Sequence, residues 1–123
     1  MLSAVHSPVT TFKKQLAHLF NQINQEMYGV GVKKQRIEIF DDKIIIFSQS
    51  KRVPALASIS EKYPELTVTV DAALVGEYKA RLKEQFQNMF SINVVAILKD
   101  YDPNTESACT VICLEEPFHT TTI

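Results

Sequence analysis

The sequence predicts an α+β fold: one antiparallel four-stranded sheet, made of two hairpins, with helices on one face. Three observations carry this. Two long segments repeat apolar residues at helical spacing, two pairs of short β-branched runs are joined by turn residues, and the elements follow in the order α-β-β-α-α-β-β. A chain of 123 residues with 46% hydrophobic and 22% charged residues has ordinary globular composition, and its size suits a single domain, 1–123, with an ordered core over about 7–115.

The first helix is expected to start at Ser7-Pro8, with Ser at the N-cap and Pro at the first helical position. Phe12, Leu16, Leu19, Phe20, Ile23 and Met27 form its apolar stripe. Gly29 is the expected stop, because glycine accepts the left-handed conformation that closes a helix. Ile37 and Ile39 alternate with Arg36 and Glu38 as a half-exposed strand. Asp41-Asp42 is the turn, and Lys43–Ser48 is the antiparallel return.

Pro54 opens a short helix, predicted to reach Lys62 before Tyr63-Pro64 breaks it. Leu66–Val70 reads on propensity as an extended connection or a short strand. Asp71 is then expected to cap the long helix, whose apolar face is Leu74, Val75, Tyr78, Leu82, Phe86 and Phe90. Ser91–Lys99 is predicted as the third strand, Asp100–Thr105 as a turn-rich loop and Glu106–Leu114 as the fourth strand. The tail, 116–123, has little to pack and is expected to fray.

Several function classes fall away. A net charge of −1 offers no overall field for nucleic acid or an anionic membrane. No run of about 18 apolar residues could span a bilayer, and MLSAVHSPVTTF lacks the basic and apolar regions of a signal peptide. Cys109 and Cys113 would sit on one strand roughly 13 Å apart at ~3.3 Å per residue, too far for a disulfide. They read as two buried thiols in a reducing cytoplasm.

Gly29-x-Gly31 follows a helix and precedes a strand, the reverse of a dinucleotide fingerprint, so it reads as a helix stop. Asp100, Asp102 and Asn104 copy the first half of a calcium loop. Thr105 and Val111 stand where its glycine and glutamate belong, so acidic turn residues are expected. His6, His18 and His119 are scattered, so no metal or cofactor is expected. No nucleophile or acid–base constellation marks a catalytic residue.

Two candidate sites remain. Pairing about Asp41-Asp42 sets Lys34 opposite Gln49, gathering Lys33, Lys34, Arg36, Lys51 and Arg52 at the open end of the first hairpin, beside the helix start at Pro54. Such a cluster could hold an anion. Ala72, Ala73, Gly76 and Ala80 form a stripe of small residues on the long helix that would let a second copy approach as a dimer contact. The outer sheet face is a further pairing surface if the last two strands, apolar at nearly every position, are buried on both sides.

The run FNQINQEMYGVGVKKQRIEIFDDKIIIFSQS resembles the start of the MpsC family, small bacterial domains in which a helix ends in a Gly-x-Gly-Pro-like turn. A strand, an acidic turn, a second apolar strand, a Thr-Pro-type helix start, a long helix and a hairpin around a Val-Val pattern follow. Tyr28-Gly29-Val30-Gly31, Ile37–Phe40, Asp41-Asp42, Ile44–Phe47, Val53-Pro54 and Ile92-Asn93-Val94-Val95 hold those places here, over about residues 10–115. Val32 stands where the family tends to have Pro, and Val53 where a capping Thr is usual.

The resemblance implies a link to a Na+-translocating, membrane-potential-generating system, without a known catalytic constellation. The expectation is a cytoplasmic, homodimeric accessory or regulatory protein that works through protein contacts, has no cofactor and does not insert in the membrane. The alternative is a small-ligand module that holds an anion at the basic end of the first hairpin.

Overall fold

The computed structural model describes residues 7–51 and 53–119. The elements are α1 (Pro8–Tyr28), β1 (Lys34–Phe40), β2 (Lys43–Gln49), α2 (Pro54–Ile59), α3 (Pro64–Phe90), β3 (Val94–Asp102) and β4 (Ser107–Leu114). The four strands form one antiparallel sheet in the order β1-β2-β4-β3, so the two hairpins meet through their second strands at the centre.

Local chemistry sets the boundaries. Ser7 accepts a hydrogen bond from the Thr10 amide at 3.1 Å and Pro8 begins α1. Gly29 closes α1 at φ 73°, its N–H donating to the Gln25 carbonyl at 2.9 Å. Gly31 has a different role: a Cβ there would lie 2.9 Å from Asn21 Oδ1. That oxygen accepts from the Val32 amide at 2.8 Å and ties the loop back onto α1. At the first hairpin Asp41 takes the left-handed turn at φ 58°. Lys34 pairs with Gln49 as the sequence predicts.

The largest correction concerns Leu66–Val70, which is neither extended nor a strand. It is the second turn of α3, a helix of 27 residues that starts at Pro64. Its threonines bond their own helix, Thr67 Oγ1 to the Tyr63 carbonyl at 2.8 Å and Thr69 Oγ1 to the Glu65 carbonyl at 3.1 Å. Such back-bonding satisfies the threonine hydroxyls within the helix. Asp71 therefore lies inside α3 and is not its N-cap, a place held by Tyr63. α2 ends at Ile59 rather than Lys62, and β3 starts at Val94 and runs on to Asp102.

The core lies between the helices and the inner sheet face. Ile37, Ile44, Ile46, Ile97, Ile112 and Leu114 meet the stripe of α1 and the Tyr78, Leu82, Phe86 and Phe90 edge of α3. Phe12 is the hub: its ring centroid lies 6.1 Å from Phe86, 4.6 Å from Phe90 and 4.8 Å from Phe118. Phe118 corrects the view that the tail has little to pack, since its amide also donates to the Asp41 carbonyl at 2.9 Å. Residues 120–123 lie outside the described residues.

The glycines are expected to separate in denaturant unfolding. Gly29→Ala should cost about 1 kcal/mol, the penalty for a Cβ in a left-handed conformation. Gly31→Ala should cost about as much by breaking the Asn21 hydrogen bond. Gly76→Ala, where a Cβ meets open space within α3, should instead stabilise by about 0.5–1 kcal/mol.

Candidate functional site

The residues of the basic cluster have separate surroundings. Lys33 is bound to Glu106 at 3.1 Å. Arg36 lies 3.6 Å from Glu38 and stacks over Phe47, 4.6 Å from the ring centroid. Lys34 stands exposed at the start of β1, and Lys51 is exposed in the loop before α2. Arg52 lies outside the described residues. α2, at six residues, is too short to add a strong dipole. Lys33 and Arg36 thus already have carboxylates, while Lys51 lines a cavity.

That cavity holds about 480 Å³. Asn24 and Tyr28 of α1 form one wall, and Val53 and Leu56 around the start of α2 form another. α3 contributes Leu74, Val75 and Lys79, with Asp71, Ala72 and Gly76 near them. β3 closes it with Lys99, Asp100 and Tyr101. Most of this lining is apolar. Leu74 and Val75, predicted for the core face of α3, line the cavity instead.

Lys99 was not legible as a site residue. It sits on β3 two positions after buried Ile97, so strand alternation turns it to the helical side. Its ammonium lies 3.7 Å from the Tyr78 ring centroid and 5.3 Å from that of Tyr28. No carboxylate forms an ion pair with it among the described residues, and burial lowers its pKa from 10.5 to about 8. Burial likewise holds the Tyr78 phenol well above its usual range. Its hydroxyl is sealed near Thr110 without a well-formed hydrogen bond. The Tyr28 phenol is raised too, by burial and then by the Asp71 carboxylate.

The second feature is the bare outer face of the sheet. Phe40 is 74% exposed, Val95 62%, Leu98 55% and Phe47 38%. Ile45, Val111, Cys109 and Cys113 lie half-buried between them. The cysteines are free, as the spacing predicts. They are not core thiols, because the inward positions of β4 belong to Ala108, Thr110, Ile112 and Leu114. The stripe of Ala72, Ala73, Gly76 and Ala80 is exposed on α3.

The family described as "Na+-translocating membrane potential-generating system (MpsC)" matches residues 9–116. The chain belongs to the MpsC family. No curated protein and no solved structure matches it. Among the described residues of this MpsC protein, no helix is long and apolar enough to cross a membrane. No group of three metal-ligating side chains occurs among them either. The calcium-like loop uses its acid locally: Asp102 accepts from the Asn104 amide at 3.1 Å and the Thr105 hydroxyl at 3.0 Å.

Lys99 gives the stability of this MpsC protein a pH signature. The Tyr28 and Tyr78 rings meet its ammonium, and Lys51, Lys79 and Asp71 line the same cavity. With a folded pKa of about 8 against 10.5, the unfolded chain binds the proton more tightly. Stability should therefore rise as pH increases from about 8 toward 10. Above that, the two raised phenols, protonated only in the folded state, reverse the trend. Urea midpoints measured from pH 7 to 10 should show this rise in the wild type and lose it in Lys99→Met.

Proposed function

We propose that this protein is a non-enzymatic accessory or regulatory component of a Na+-translocating membrane system, that it acts through protein contacts, and that it does so as a cytoplasmic homodimer. The carrying observation is the uncovered apolar face of the sheet. A one-sided antiparallel sheet normally shows polar residues to water. Here Phe40, Phe47, Val95 and Leu98 stand there instead, the pattern of a contact surface.

The register favours a second copy as the occupant. Across the sheet, Lys34, Gln49, Ser107 and Asp102 share one level, and Arg36, Phe47, Cys109 and Asp100 share the next. A two-fold axis parallel to the strands, placed between β2 and β4, lays β1 of one copy over β3 of the other at the same level. Lys34 then faces Asp102 of the partner subunit, and Arg36 faces Asp100 of the partner subunit. Ile45 meets Val111 of the partner subunit in the middle, while the same operator sets Glu38 against Leu98 of the partner subunit and Lys43 against Cys113 of the partner subunit. The face is thus self-complementary in charge at the Lys34 and Arg36 levels and apolar at its centre, the kind of match an isologous contact uses.

Four strands at ~4.8 Å and seven residues at ~3.3 Å give a footprint of roughly 450 Å² per copy. This is at the low end for a specific interface, so the association should depend on concentration. The other half of the reading, contact with a membrane complex, rests on the family description.

Light scattering across a dilution series should give twice the chain mass of 13.9 kDa at high concentration. Leu98→Glu, at an exposed position, should leave a folded monomer. Arg36→Glu should weaken the dimer roughly tenfold, and adding Asp100→Lys should restore it. A dimer that ignores Leu98→Glu but dissociates in Ala80→Glu would move the contact to the Ala72, Ala73, Gly76 and Ala80 stripe. A wild-type monomer at all concentrations would end the dimer reading.

A further inference from the structure

We infer that the cavity between α1, α2, α3 and β3 is a binding site for a small organic anion, with a carboxylate or phosphate head held at Lys99 and an apolar body lying against Leu56, Leu74 and Val75. This goes beyond the protein-contact reading and does not use the outer sheet face.

The argument begins with size. About 480 Å³ falls within the range of small-ligand sites, which are largely apolar with a few placed polar groups. Charge comes next. The lining carries Lys51, Lys79 and Lys99 beside Asp71, which already has interactions of its own, while Asp100 falls on the outer-face side of β3 by alternation. Lys99 decides the location. Its Nζ is held between two tyrosine rings, 3.7 and 5.3 Å from their centroids, with no carboxylate ion pair among the described residues. A half-buried ammonium that has lost water without gaining a counter-charge is stabilised by an anion more than a surface lysine is, because screening is weaker there. Its lowered pKa accords with that loss of water.

The apolar body follows from the opposite wall. Leu74 and Val75 leave the core stripe of α3 and, with Leu56 and Val53, make a greasy surface across from Lys99. Gly76 keeps the space open: a Cβ there meets nothing within 4 Å. A larger side chain at that position would occupy the cavity without displacing the core.

Titration calorimetry of the full chain with octanoate, octyl phosphate, octan-1-ol and inorganic phosphate tests this. Octanoate or octyl phosphate is expected to bind one per chain, at least about tenfold more tightly than octan-1-ol or inorganic phosphate. Lys99→Met should weaken octanoate binding about tenfold, while Lys99→Arg keeps it. Gly76→Phe should abolish binding with the thermal transition retained, which gives a second test should Lys99→Met fail to fold. Equal affinity for octanoate and octan-1-ol would overturn the proposal. So would wild-type affinity in Gly76→Phe, or no binding of either anion up to about 10 mM, a negligible affinity.

Discussion

The aromatic contact between α1, α3 and the inner sheet face is what the rest of the structure depends on. Phe12 holds Phe86, Phe90 and Phe118 around it, and Phe20 meets Tyr78 edge-on at 5.8 Å. Large rings bury the most area per residue and fix the distance between the elements they join. Once both long helices are locked on one side, two consequences follow. The other face of the sheet has nothing from the described residues to cover it. The Tyr78 ring is also brought beneath β3, where it meets Lys99.

These features are built to different standards. The core is sealed: Phe12, Leu16, Phe20, Ile44, Tyr78, Phe86 and Ile112 have almost no exposure. The cavity is a place where packing stops short, with an ammonium that has no carboxylate ion pair among the described residues. Burying it costs folding free energy that an apolar core would not. Consistent local choices elsewhere make such exceptions the first places to look for function. The outer face is exceptional in the opposite sense, with apolar side chains in water and opposite charges along its two edges at matching levels. A component that joins a copy of itself through the sheet and holds an anion among its helices would have both assembly and an input on separate sides of one fold.

Much of the fold was legible because its signals are local. Ser7-Pro8, Gly29 and Asp41-Asp42 mark a start, a stop and a turn through their own backbone preferences. The Lys34–Gln49 pairing then follows by counting from the turn. Leu66–Val70 misled because Val and Thr favour strands by packing, not by backbone necessity. Within α3 the helix starts at Pro64, and the threonine hydroxyls are satisfied on the helix's own carbonyls. Of the candidate sites less was legible, since they are non-local. Glu106 reaches Lys33 across 73 positions, and the cavity draws on residues from Asn24 to Pro103. In ACTVICL every position is apolar or nearly so. Alternation fixes which residues share a face, but not which face the helices cover, and so the sequence alone reads the cysteines as core.

Their true position supplies the most direct test of the central claim, that the outer face of the sheet is a contact between copies. Cys109 and Cys113 are the chain's only thiols, and both lie on that face. Alkylation rates of the native protein should be measured across a dilution series, beside Leu98→Glu. Slow labelling at high concentration that quickens on dilution, with uniformly fast labelling in the variant, is the result this account requires. Rates independent of concentration and identical in both proteins would contradict it.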